Sequence, residues 1–155
     1  MKVNEELIAG ENQMSDKSYA IFSTTLDKTN HVLKTIEQSY GWPKERREQS
    51  YNALRAVLHA MRDRLTVEEA TDFAAQLPML IRGIFYEGWN PSKVPVKMDR
   101  EEFLARVKQN FPYEVEGGMD RLVRTVLNAL KEYVTEGELA DIRSNMPKNL
   151  ASLVP

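Results

Sequence analysis

The stretch Arg55–Phe85, RAVLHAMRDRLTVEEATDFAAQLPMLIRGIF, decides the fold, because the chain carries it twice. Slid by 69 positions it lies without a gap on Arg124–Val154, RTVLNALKEYVTEGELADIRSNMPKNLASLV, and 8 of the 31 aligned pairs are identical. Chance at ordinary residue frequencies gives ~2. The identities are Arg55, Val57, Leu58, Ala60, Thr66, Glu69, Asp72 and Pro78 with Arg124, Val126, Leu127, Ala129, Thr135, Glu138, Asp141 and Pro147. Upstream, a shift of 71 sets Val32, Leu33 and Ile36 on Phe103, Leu104 and Val107, so the second copy is two residues shorter in its first loop. Repetition at a fixed offset is the mark of a duplicated structural unit.

The period inside each copy is helical. Tyr51, Leu54, Leu58, Met61 and Leu65 recur at spacings of three and four, as do Val123, Leu127, Leu130 and Val134; each set is one stripe of an α-helix. No segment alternates with period two over a strand's length. Thr66-x-x-Glu69 and Thr135-x-x-Glu138 match the capping box, in which Thr oxygen and Glu carboxylate satisfy backbone N–H groups reciprocally. Pro78 and Pro147, which lack an N–H, suit a helix start.

An all-α fold follows: a helical bundle built from two tandem, related three-to-four-helix units packed into one core. The expected helices are 24–39, 44–64, 67–76 and 79–86 in the first unit. In the second they are 99–110, 118–133, 136–145 and 147–153. The domain reading is a polar N-terminal arm (1–22), mobile or loosely docked up to about residue 17 where no sustained period shows, and a single helical domain (23–155). Within it, unit one (23–90) and unit two (99–155) are joined by a Pro-containing linker (91–98). A helical unit of this size barely offsets its ordering entropy at ~25 cal/mol per Å² of buried apolar surface, so the two should share a core.

Composition narrows function mostly by exclusion. The 155 residues are 42% apolar and 28% charged, with a net charge of −2, two histidines and no cysteine. A thiolate metal site, a disulfide scaffold and a cysteine nucleophile are excluded. A protein that holds nucleic acid by bulk positive charge is excluded as well. The longest apolar patch, Leu77–Tyr86, is broken by Pro78, Arg82 and Gly83 and is far short of the ~18 residues of a membrane span. Met1–Met14 carries three glutamates and no apolar h-region, which reads as no signal peptide and a cytoplasmic protein.

The run Leu26–Asn30, Gly41-Trp42 and the long string LRAVLHAMRDRLT…QLPMLIRGIFYEGW (54–66, 76–89) resemble the bacterial domain-of-unknown-function family numbered 2267, over about residues 24–155. The resemblance implies a small, mostly helical bacterial protein. It brings no activity, cofactor or catalytic residue.

Each chemical constellation has a plainer alternative. His59 and His31 stand in no metal-ligand spacing and read as structural or solvent-facing. Glu68, Glu69 and Asp72 crowd a helix start, where acids complement the dipole. His59, Arg62 and Asp72 are expected to form a polar clasp between antiparallel helices. Lys44, Arg46, Arg47, Arg55, Arg62 and Arg64 point around a helix with acids among them, so no nucleic-acid face is expected. Trp42, Arg82, Tyr86 and Trp89 are the candidate interaction surface, since aromatics with arginine make hot spots; the alternative is that these aromatics cement the two copies.

No Gly-rich phosphate loop, nucleophile elbow or kinase set occurs. The expectation is a non-enzymatic module that binds a protein partner or itself, without cofactor, metal, nucleic acid or membrane. A small-ligand or enzymatic site between the units, using His59, Asp72 or nearby arginines, is the rival.

Overall fold

The computed structural model describes residues 2–155, with side chains described from Tyr19 onward. Among these described residues eight α-helices run in order: α1 Lys2–Tyr40, α2 Arg47–Arg64, α3 Val67–Gln76, α4 Met79–Tyr86, α5 Arg100–Asn110, α6 Gly118–Leu130, α7 Glu136–Ser144 and α8 Lys148–Ala151. No strand occurs among the described residues. The fold is all-α with one core, as the helical periods predict.

Local chemistry sets most boundaries. Thr66 Oγ1 accepts from Glu69 N and Thr135 Oγ1 from Glu138 N, both at 3.2 Å, each satisfying one orphan donor of a first turn. The second half of the box differs from expectation in both helices: among the described residues neither the Glu69 nor the Glu138 carboxylate accepts from its Thr N–H, and the Thr135 N–H donates instead to Gln76 Oε1 at 2.8 Å, from the end of α3. Asp99 caps α5 by accepting from Glu102 N at 2.8 Å. Pro78 and Pro147 occupy the N-cap positions of α4 and α8 with the same backbone angles, φ −53 and ψ 147. Gly117 precedes α6 at φ +84, where a Cβ would come within 2.5 Å of the Arg121 side chain. Glycine is required there for conformation and for space.

Several boundaries differ from expectation. A 3₁₀ turn at Lys44–Arg46 precedes α2, and α6 stops at Leu130 rather than 133, giving way to a turn closed by Tyr133 N on Leu130 O at 2.9 Å. α1 is much longer than 24–39, running from Lys2. Through position 18, the expected mobile or loosely docked arm lies outside the residues whose side chains are described. From Tyr19 to Leu26 it is helix with several exposed apolar side chains.

Tertiary packing centres on α2. Its buried residues are Ser50, Ala53, Leu54, Ala56, Val57, Leu58, His59, Ala60, Met61 and Arg62, which surround the helix rather than form one stripe. α1, α4, α5 and α6 all contact it; Ala53, Ala56 and Ala60 leave room for that close approach. α1 packs on both α2 and α6, α5 likewise on α6 and α2, and α3 meets α7. Leu122, Val123, Val126, Leu127 and Leu130 of α6, with Phe103 and Val107 of α5, belong to the same core.

A buried carboxylate ties α1 to α2. Glu37 accepts from Arg47 Nε and Nη2 at 3.1 and 3.0 Å and from Ser50 Oγ at 2.6 Å. Burial pushes its carboxyl up, but the bonds from Arg47 and Ser50 and the charges of Arg47 and Lys44 outweigh that, holding it below the ordinary glutamate value. No helix among the described residues is long and apolar enough to cross a membrane.

Candidate functional site

A helix ends with carbonyls that have no partner inside it, and α4 brings its own against α2. His59 Nε2 lies 2.7 Å from Ile84 O. A carbonyl only accepts, so Nε2 carries the proton and Nδ1 keeps its lone pair. Arg62 Nη1 donates to Phe85 O at 3.1 Å and to Glu87 O, a cation matched to the negative end of α4. Both side chains belong to residues only 7% exposed. Arg62 Nε also donates to Asp63 Oδ1 at 3.0 Å, and Arg106 Nη1 of α5 donates to Asp63 Oδ2 at 3.0 Å.

Burial pushes the His59 pKa down, and the nearby Arg62 and Arg55 charges push the same way; its bond to Ile84 and the Asp63 charge oppose them. The ring is neutral at physiological pH. Above it opens a cleft of about 350 Å³ between α2, α5 and the segment after α4, lined by Arg55, Arg62, Asp63, Glu87, Arg106 and Gln109 among others.

Of the expected clasp, the structure brings His59 and Arg62 together and sets Asp72 apart. Asp72 lines a second cleft, of about 260 Å³, where α3 meets α7, beside Glu68, Glu69, Glu138 and Asp141. Partial burial, then the charges of Asp72, Asp141 and Glu69, raise the Glu138 carboxyl above its ordinary value. Among the described residues no group of three or more His, Asp or Glu is disposed to hold a metal ion. His31 faces solvent on α1, its Nε2 3.1 Å from Glu132 Oε2.

The four residues read as an interaction surface fall into separate settings. Arg82 donates to the carbonyls of Ala74, Ala75 and Leu77 at 2.9, 3.1 and 3.0 Å, closing the end of α3. Tyr86 and Trp89 lie half-buried against the core, in a chain of rings Phe73–Phe85–Tyr86–Trp89 with centroids 5.7, 5.3 and 5.3 Å apart. Trp42 stacks on Tyr40 at 4.6 Å and 11°, with the Arg121 guanidinium 4.4 Å over the Tyr40 ring. No ring pair joins the two aromatic groups among the described residues.

One surface was missed by sequence reasoning. Tyr19, Phe22 and Leu26 are exposed, Tyr19 at 65% and Phe22 at 52%, yet they continue the three-and-four stripe of Thr29, Leu33 and Ile36 that is buried in the core. Leu80 N donates to Thr25 Oγ1 at 2.9 Å, bringing exposed Met79 and Leu80 beside that stripe. The three-and-four spacing of Tyr19, Phe22 and Leu26 carries the signal, but the first two fall in the stretch expected to be a polar arm.

No curated protein matches the chain. The family described as "Uncharacterized conserved protein (DUF2267)" matches residues 29–153, from Thr29 in α1 to just beyond α8, and the chain belongs to that family.

Proposed function

We propose that this protein is a non-enzymatic helical module that associates with a second copy of itself through the Tyr19–Leu26 stretch of α1. The observation that carries the reading is the apolar stripe that outlasts the body: Thr29, Leu33 and Ile36 are covered, while Tyr19, Phe22 and Leu26 on the same face are not. Burying a side chain such as Phe or Leu contributes ~1.5–3 kcal/mol, and a helix with no packed face is marginal in water. A second copy fits because the uncovered face continues an existing helix–helix interface and presents the same spacing to itself. A two-fold axis lets each stripe cover the other. Asp27 and Lys28 beside the stripe balance in charge, and a net charge of −2 offers little repulsion between copies.

The two-unit organisation belongs to the same reading. It is supported by the matched caps of α3 and α7, the matched prolines of α4 and α8, and the reciprocal packing of α1 on α6 and α5 on α2.

Size-exclusion chromatography with light scattering tests the association. The wild-type chain is expected to shift from monomer to dimer mass with concentration. Phe22→Lys with Leu26→Lys should remain monomeric with unchanged helicity. A wild-type chain that stays monomeric up to its solubility limit would end this reading.

A further inference from the structure

We propose that the cleft between α2 and α5 binds a small oxyanion that also carries a hydroxyl group. Three guanidiniums (Arg55, Arg62, Arg106) face two carboxylates (Asp63, Glu87) around this cleft, in a chain whose overall charge is −2. The three are not equally committed. Arg62 is taken up by the carbonyls of Phe85 and Glu87 and by Asp63. Arg106 gives one side-chain hydrogen bond among the described residues, to Asp63. Arg55 gives none among the described residues, and its closest carboxylate oxygen, on Glu87, is 3.8 Å from Nε. Two half-buried arginines therefore present unused N–H forks to one cavity, and that fork geometry matches a carboxylate or a phosphate.

His59 supplies the second half of the recognition. It is more than nine-tenths buried, its Nε2–H is fixed on Ile84 O, and it lines this cleft. Its Nδ1 has no partner among the described residues, and a buried neutral ring leaves that nitrogen as an acceptor. An acceptor beside two arginine forks selects a ligand with a donor near its anionic group, such as a hydroxyl. A volume of about 350 Å³ exceeds what a bare phosphate fills and suits a five- or six-carbon polyol acid or polyol phosphate. Glu87 faces Arg55 across the cleft, and the ligand's anion would replace it. No exposed residue of α1 takes part, so this site stands or falls apart from self-association.

Isothermal titration of the full chain with gluconate, ribose 5-phosphate, inorganic phosphate and ribose tests the proposal, with the His59 ring resonances followed in parallel. Gluconate or ribose 5-phosphate is expected to bind about tenfold or more tighter than inorganic phosphate, and ribose not at all. Which of the two binds separates a carboxylate ligand from a phosphate. Arg55→Gln and Arg106→Gln should each weaken binding about tenfold, while Glu87→Gln should tighten it by freeing Arg55. His59→Gln keeps an N–H for Ile84 O and should reduce the polyol anion to the affinity of inorganic phosphate. If neither hydroxylated anion binds or shifts the His59 resonances, the proposal is overturned. Equal binding of inorganic phosphate, or binding that survives Arg55→Gln with Arg106→Gln, overturns it too.

Discussion

The His59 cleft and the α3–α7 cleft carry opposite charge, and helix ends account for both. At the first, α4 delivers its C-terminal carbonyls, and cationic Arg62 with the His59 N–H meets them. At the second, α3 and α7 each begin with carboxylates suited to an N-terminus, but two such starts converge, so Glu69 and Asp72 face Glu138 and Asp141. Chemistry favourable within one helix thus becomes repulsion between two. The first cleft is held together by its charges, and the second is held together in spite of them.

Removing Arg62 should break that contrast most strongly. Arg62→Ala strips the Phe85 and Glu87 carbonyls of a charged donor and leaves Asp63 with one cation fewer. The expected loss is about 3 kcal/mol in urea unfolding. Removing Glu138, by contrast, should stabilise the fold.

The pH dependence should sharpen the comparison, because the two clefts have opposite slopes. Below about 6.5, the ordinary histidine value, the unfolded chain takes up a proton that buried His59 refuses, so stability falls with falling pH. Above about 4.5, the ordinary glutamate value, folded Glu138 keeps its proton longer than unfolded Glu138, so stability falls with rising pH through the folded value. Thermal melts of His59→Gln should lose the first slope and keep the second; Glu138→Gln should do the reverse.

The smallest expected effect is Glu138→Gln at neutral pH, a gain of about 0.5 kcal/mol, since partly exposed like charges repel weakly. Added salt should stabilise the wild type slightly more than this variant. Equal salt responses would remove the repulsion from the account.

Features that depend on a few neighbouring residues were legible in the sequence. The Thr66 cap is an i to i+3 interaction, and α3 and α4 occupy the expected 67–76 and 79–86. What depends on distant atoms was not. His59 and Arg62 meet backbone carbonyls of α4, and a carbonyl carries no residue identity to read. Asp72 and Asp141 were visible as equivalent carboxylates, but their shared cleft depends on α3 meeting α7 across the chain. The all-round burial of α2 was hidden because Arg62 and His59 make the helix look half polar. On α1, Tyr19 and Phe22 stood at helical spacing among enough polar residues to look unstructured.

The crossed packing of α1 on α6 and α5 on α2 also constrains how this chain can be divided. A cut in the linker after α4 would leave α1 without α6 and α2 without α5, so each fragment would lack part of its apolar lining. The fragments should act as complementary pieces, structured when mixed and collapsed or aggregated apart. The same interlock gives two whole chains a route to exchange halves, because every contact between the halves can be remade with the other chain's copy.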